Sequence, residues 1–220
     1  MELSGINLIV FDLDGTLIDA YPAIIRSFNY TMRRFSCPVR DAAVIRRAVG
    51  WGDRSLLQPF VAEQDLDRAL VVYRRHHAKT LVKYSRLFPG VKALLSGLKK
   101  RSFLLAVASN RPTRFSNILL KHLGIRGYFD RVLCGDKLTH MKPHPEILRT
   151  LMAGFRVKPA QTLYVGDMFI DAQTGRRAKV RTIMVTTGSS SIVELRKERP
   201  FKILPRVKAL FPFLAGHSVL

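Results

Sequence analysis

The chain has 220 residues, of which 47% are hydrophobic and 24% charged, a composition typical of a folded globular protein and not of a disordered one. No stretch approaches the roughly 20 consecutive apolar residues of a membrane-spanning helix, so we expect no membrane partner. The chain carries 37 lysines and arginines against 16 acidic residues, for a formal net charge of +21.

A charge of this size has three explanations. It can attract anionic substrates, bind nucleic acid through its phosphates, or reflect a generally basic proteome. The basic residues occur as scattered pairs such as Arg33-Arg34 and Arg176-Arg177, which is typical of solvated helix faces. The charge alone therefore leaves nucleic acid open as a partner without assigning it.

The two cysteines, Cys37 and Cys134, lie far apart and do not have the spacing of a metal site. The N-terminal residues read as a strand and not as a signal peptide. We therefore expect reduced thiols in a cytoplasmic protein.

The first predicted element is a buried parallel strand at residues 6–11, which leads into the loop Asp12-Leu13-Asp14-Gly15-Thr16. From about Tyr21 to Arg86 strand signals vanish and apolar residues recur at helical spacing. One such face contains Leu66, Leu70, Tyr73 and His77. The pattern predicts an all-helical cap domain at 20–86, inserted into a core domain formed by 1–19 and 87–220.

Helices and strands alternate after Phe88. The predicted helices are 91–100, 113–122, 145–155 and 169–178. The predicted strands are 103–108, 132–133, 162–165 and 182–185. This alternation predicts an α/β fold, a Rossmann-like parallel sheet with helices on both faces. Such sheets bind ligands at the carboxyl ends of their strands.

Acidic residues cluster at two of these strand ends. Asp12 and Asp14 follow the first strand, and Asp167 and Asp171 follow the strand at 162–165. Crowded carboxylates repel one another unless a cation compensates them, and ligands that are all oxygen suit Mg²⁺. Purely structural roles are the alternative: Asp14 as a turn residue before Gly15, and Asp167 as a helix N-cap after Gly166. Either role alone is credible, but structural roles are a poorer explanation for the presence of both clusters.

Two further segments have groups suited to phosphate. Ser109-Asn110 follows the strand at 103–108 and precedes a helix, where a hydroxyl and free backbone N–H groups suit a phosphate oxygen. An ordinary N-cap explains this segment equally well. Lys142 lies in a segment stiffened by Pro143 and Pro145 where a helix begins, so it is placed to neutralise a phosphoryl group and a carboxylate.

Taken together and in this order, four segments resemble the haloacid dehalogenase superfamily. They are Asp12-Leu13-Asp14-Gly15-Thr16, Ser109-Asn110, Lys142-Pro143-His144-Pro145 and Gly166-Asp167-Met168-Phe169-Ile170-Asp171. The resemblance extends from Asn7 to about Val185, and the complete set is far more specific than any one segment.

The resemblance implies catalytic roles for three residues. Asp12 is expected to be the nucleophile that forms an aspartyl-phosphate. Asp14 is expected to protonate the leaving oxygen and then to activate the hydrolytic water, and Lys142 is expected to neutralise charge. These roles agree with covalent catalysis, which divides one difficult displacement into two easier steps.

The resemblance also implies binding roles. Mg²⁺ is expected to be bound by the Asp12 carboxylate, the Asp14 backbone carbonyl and Asp167. Asp171 is expected to position Lys142 or a metal-bound water. The groups expected to hold phosphate oxygens are Thr16, Ser109 and Asn110.

The helical insert resembles the type I cap of this superfamily, which closes over the site and selects the substrate. Its segment Val49-Gly50-Trp51-Gly52-Asp53-Arg54 resembles the substrate-facing loop of the phosphoglycolate phosphatase branch. Arg54 is predicted to contact a substrate carboxylate or a second phosphate, although a solvated arginine explains the position equally well. Trp51 equally fits a core anchor for the cap.

The expected function is magnesium-dependent hydrolysis of a small, phosphoglycolate-like phosphate monoester by a monomer or homodimer. The alternatives within the superfamily are a β-phosphoglucomutase-like phosphomutase and a pyrophosphatase. A nucleic-acid-binding protein on a phosphatase scaffold is the alternative from another class. Only the charge favours it, because the chain has no recognised nucleic-acid-binding motif.

Overall fold

The computed structural model describes residues 5–216. Among these residues a six-stranded parallel sheet has the order β5-β4-β1-β6-β7-β8. Its strands are β1 Leu8–Phe11, β4 Leu104–Ser109, β5 Arg131–Cys134, β6 Thr162–Gly166, β7 Arg181–Val185 and β8 Lys202–Leu204. Two short strands, β2 Ile18–Asp19 and β3 Arg86–Leu87, pair antiparallel beside it.

Strand β1 lies at the centre of the sheet, between β4 and β6. Alternate residues of a strand point to opposite faces, so Leu8 and Val10 join one core cluster while Ile9 and Phe11 join another. All four side chains are fully buried. Burial on both faces explains why this strand is a continuous apolar run in the sequence.

Helices cover both faces of the sheet, which confirms the predicted fold. They are α5 Val91–Lys100, α6 Thr113–His122, α7 Glu146–Phe155, α8 Phe169–Ala178, α9 Ile192–Lys197 and α10 Leu210–Ala215. Helices α5, α6 and α10 pack in the cluster that contains Ile9 and Phe11. Helices α7 and α8 pack in the cluster that contains Leu8 and Val10.

Four α-helices lie between β2 and β3: α1 Tyr21–Arg34, α2 Ala42–Ala48, α3 Asp53–Leu57 and α4 Leu66–Tyr84. The predicted apolar face of α4, which ends at His77, is buried. Asp19 pairs with Arg86 in the β2–β3 ladder, so the chain enters and leaves this helical region at adjacent points. The division into a cap at 20–86 and a core at 1–19 and 87–220 stays a prediction.

Both cysteines are free thiols, as expected. Across residues 5–216, none of the helices has the length and apolar character needed to cross a membrane.

Candidate active site

Apart from Arg54, the predicted site residues come together at the carboxyl edge of the sheet, because β1 lies between β4 and β6. Asp12 follows β1, Ser109 ends β4 and Asp167 follows β6. A cavity of about 590 Å³, its open mouth included, lies between this edge and the helices of the insert. Its lining includes side chains of both the core and the insert, among them Asp12, Lys142 and Tyr73.

Lys142 lines the cavity, and its ammonium group is enclosed by oxygen atoms. Its Nζ lies 3.0 Å from Asp12 Oδ1 and 2.7 Å from Asp171 Oδ1. Burial by itself lowers the pKa of Lys142, but the two carboxylates outweigh burial and raise it. Lys142 is therefore a fixed cation beside Asp12.

Asp171 holds that lysine in place. Its Oδ1 accepts hydrogen bonds from Lys142 and, at 2.7 Å, from the hydroxyl of Tyr164, while its Oδ2 accepts one from Met168 N at 2.9 Å. This geometry favours the positioning role among the two expected for Asp171. Sequence reasoning missed Tyr164, whose only signal is a phenol hydroxyl in the middle of a buried strand, where it needs a partner.

Carboxylates outnumber cations at this point. Oxygen atoms of Asp12, Asp167 and Asp171 lie within 4.8 Å of one another, and Lys142 supplies one positive charge. Burial raises the pKa of Asp12 to about 7, with Lys142 opposing the rise, and it raises the pKa of Asp167 well above its usual range. A divalent cation offsets such an excess, and the oxygen donors fit Mg²⁺.

Asp167 is held between two glycines. Gly15 has φ +82°, and a Cβ at either Gly15 or Gly188 overlaps the Asp167 carboxylate. The hydroxyl of Thr16 donates to Asp167 Oδ1 at 2.8 Å. The predicted contact between Thr16 and phosphate therefore stays a prediction, and Gly188, which belongs to no motif, was missed from the sequence.

The two polar residues after β4 have different partners. Ser109 lines the cavity, and its Oγ accepts a hydrogen bond from Arg111 N at 3.2 Å. Asn110 also lines the cavity, but its amide donates to Gly50 O at 2.8 Å and accepts from Lys142 N at 2.9 Å. Asn110 thus joins the Lys142 segment to the insert, and the phosphate contacts expected of both residues stay predictions.

The loop of the insert lies over the core, but Arg54 lies apart from the cavity lining, which includes its neighbour Asp53. Arg54 Nη1 instead lies 2.6 Å from Asp67 Oδ1, and the two side chains are 57% and 84% exposed. Exposed ion pairs contribute little to stability. Trp51 packs against Phe169 with ring centroids 6.0 Å apart. Because Arg54 pairs with Asp67 outside the cavity lining, its predicted substrate contact stays a prediction.

Asp14 has a partner that sequence reasoning missed. Arg111 Nε and Nη2 donate to the two carboxylate oxygens of Asp14, each at 2.8 Å, and Arg111 Nη1 lies 2.9 Å from His77 Nε2 on α4. The arginine is only 7% exposed. It therefore connects the candidate general acid and base to the helical insert.

The contact with Arg111 determines the state of His77. A guanidinium only donates, so His77 Nε2 accepts, and the proton on Nδ1 is directed to Ser27 Oγ at 3.2 Å. Burial, reinforced by the charge of Arg111, lowers the pKa of His77 well below its usual value. His77 is neutral in the folded protein.

We predict that His77→Gln changes how stability depends on pH. Below a pH of about 6.5 the unfolded chain protonates His77 whereas the folded protein does not. The free energy of unfolding therefore decreases as the pH decreases, by up to about 1.4 kcal/mol per pH unit. Glutamine removes this contribution. Urea unfolding at several pH values measures the slope, and exposed His122→Gln is the control. Equal slopes for the wild type and His77→Gln contradict the prediction.

The family model described as haloacid dehalogenase-like hydrolase matches residues 9–185. The chain belongs to this family. A phosphoglycolate phosphatase of Aquifex aeolicus is 31% identical, over 97% of this chain and 99% of that protein.

Two further relatives extend the comparison. A pyrophosphatase PpaX of Oceanobacillus iheyensis is 29% identical over 93% of this chain and 94% of its own length. The crystal structure of a predicted phosphoglycolate phosphatase from Haemophilus somnus superposes with a TM-score of 0.91 at 27% identity, covering 96% of this chain and 98% of that one. The chain is thus a hydrolase of the phosphatase type that these relatives represent, as the sequence predicts.

Proposed function

We propose that the chain is a magnesium-dependent phosphatase that hydrolyses a small phosphate monoester through an aspartyl-phosphate on Asp12. The observation that carries this proposal is the position of the Asp12 carboxylate, which lines the cavity 3.0 Å from Lys142 and close to two further buried acids. Such a carboxylate is suited to attack a phosphorus atom whose negative charge the site neutralises.

The first step transfers the phosphoryl group to the protein. An oxygen of Asp12 forms a bond to phosphorus while the ester P–O bond breaks, and Asp14 gives a proton to the leaving oxygen. Lys142 stabilises charge on the transferring group. Asp12, Asp167 and the Asp14 backbone carbonyl would hold Mg²⁺, which would supply further charge neutralisation.

The second step restores Asp12. Asp14, now ionised, takes a proton from a water molecule that attacks the aspartyl-phosphate, and inorganic phosphate leaves. Ser109 lines the cavity, and we propose that its hydroxyl holds a phosphate oxygen. Enclosure by the helical insert excludes bulk water from the first step.

Phosphoglycolate-like esters are the proposed substrates, because relatives that match nearly the whole chain are named phosphoglycolate phosphatases. Pyrophosphate is the second candidate, since PpaX matches a similar share of the chain. Both molecules are small anions of the kind that a strongly basic protein attracts.

The test is phosphate release by the purified protein with Mg²⁺, measured for 2-phosphoglycolate, pyrophosphate, glucose 1-phosphate and p-nitrophenyl phosphate. We expect release from at least one ester and its loss on chelation with EDTA. Product analysis distinguishes hydrolysis from isomer formation by a mutase. The proposal is refuted if none of these compounds releases phosphate.

A further inference from the structure

Arg111 is a buried cation that the mechanism above leaves without a role. It lines the same cavity as Asp12, Asp14 and Lys142, and its side chain is only 5% exposed. A guanidinium has five N–H donors. Three of them are used, two by Asp14 and one by His77.

The remaining two donors, one on each terminal nitrogen, have no acceptor among residues 5–216. Buried donors without partners are costly. A planar guanidinium binds carboxylates and phosphates through pairs of N–H groups. Arg111 therefore presents unused donors in the cavity that suit an anionic group of a ligand.

The existing contact with Asp14 also has to change during the reaction. Both Asp14 oxygens accept from Arg111. A carboxyl that carries a proton for the leaving oxygen has lost its negative charge, so the two-point contact with Arg111 weakens in that step. An anion on the substrate would then compensate the charge of the guanidinium.

The helical insert fixes the other side of Arg111. His77, its partner on α4, stacks on Tyr73 at 4.9 Å between ring centroids and meets Phe115 edge-on at 5.2 Å. These aromatic contacts hold the imidazole rigidly. His77 is therefore a positioning residue that keeps Arg111 in the cavity when the insert lies against the core.

We infer that Arg111 is the binding residue for an acid group on the leaving portion of the substrate, and that binding this group releases Asp14 for catalysis. The inference rests on the proposed phosphatase function and adds to it a residue that determines specificity. The chemical class is a phosphate monoester whose leaving group bears a carboxylate close to the ester oxygen.

The test compares two esters that differ only in that acid group, 2-phosphoglycolate and ethyl phosphate, in the wild type and in Arg111→Gln. The measured quantity is the ratio of kcat/KM for 2-phosphoglycolate to kcat/KM for ethyl phosphate. In Arg111→Gln we expect this ratio to be about 10- to 100-fold lower than in the wild type. Much of the loss is expected in KM for 2-phosphoglycolate. Arg111→Lys retains the charge without the planar fork and is expected to give an intermediate ratio.

Arg176→Gln is the matched control, because Arg176 Nη1 pairs with Glu198 at 2.6 Å on the surface of α8; we expect it to leave the ratio unchanged. Calorimetric binding of both esters to Asp12→Asn, with and without Arg111→Gln, measures recognition without turnover.

An equal effect of Arg111→Gln on both esters overturns the inference, as does a wild type with no preference for the acid-bearing ester. Either result leaves the phosphatase proposal intact. That proposal fails instead if the wild type hydrolyses no ester.

Discussion

Asparagine in place of Asp12 is expected to lower kcat for p-nitrophenyl phosphate at least about 1000-fold, because an amide oxygen is too weak a nucleophile to form the phosphoryl bond. The loss is not expected to come from unfolding. Asp12 is one of three buried carboxylates within 4.8 Å of one another, and removing one of them reduces their mutual repulsion.

Asp130→Asn is the matched control for Asp12→Asn. Asp130 directly precedes β5, at the amino edge of the sheet opposite the cavity, and pairs with Lys99 at 2.9 Å. We expect this variant to retain activity. Circular dichroism checks that both variants are folded.

The phosphoryl group itself can be located. Acid quenching of the wild type during turnover, followed by mass spectrometry of its peptides, is expected to find a phosphoryl group on the peptide that contains Asp12. Full activity in Asp12→Asn, or a phosphoryl group on another residue, contradicts the proposed nucleophile.

Those parts of the fold and site that follow from local patterns could be predicted. The strands β1, β4 and β6 are buried on both faces and are therefore apolar runs, which makes the acidic or hydroxyl residues at their ends conspicuous. The helical spacing of α4 placed His77 on a buried face. Strand β8 was missed because it has only three residues and begins with exposed Lys202.

The contacts that complete the site could not be predicted, because they join residues distant in the chain. His77 and Arg111 are separated by 34 positions, and no local periodicity relates them. Gly188 lies in a loop whose approach to Asp167 depends on the pairing of β6 with β7. The alternation of helices and strands in the sequence predicts a parallel sheet, but it does not determine which strands are neighbours in that sheet.

Asp167→Asn is expected to raise the Mg²⁺ concentration that gives half-maximal activity by at least about 100-fold, since the carboxylate proposed to bind the metal is replaced by a neutral amide. Mg²⁺ is also expected to raise the Tm of the wild type, because a ligand that binds the folded state stabilises it. This increase should be absent in the variant.

Gly188→Ala tests the geometry of Asp167 while leaving its charge in place. An alanine Cβ overlaps the Asp167 carboxylate, so the carboxylate has to move, and we expect the requirement for Mg²⁺ to rise by about 10-fold or more. Gly127→Ala is the matched control, because a Cβ at Gly127 meets no atom within 4 Å. Titration of activity with Mg²⁺, alongside thermal unfolding, compares the variants. If Gly188→Ala and Gly127→Ala need the same Mg²⁺ concentration, the position of Asp167 between its glycines does not govern metal binding.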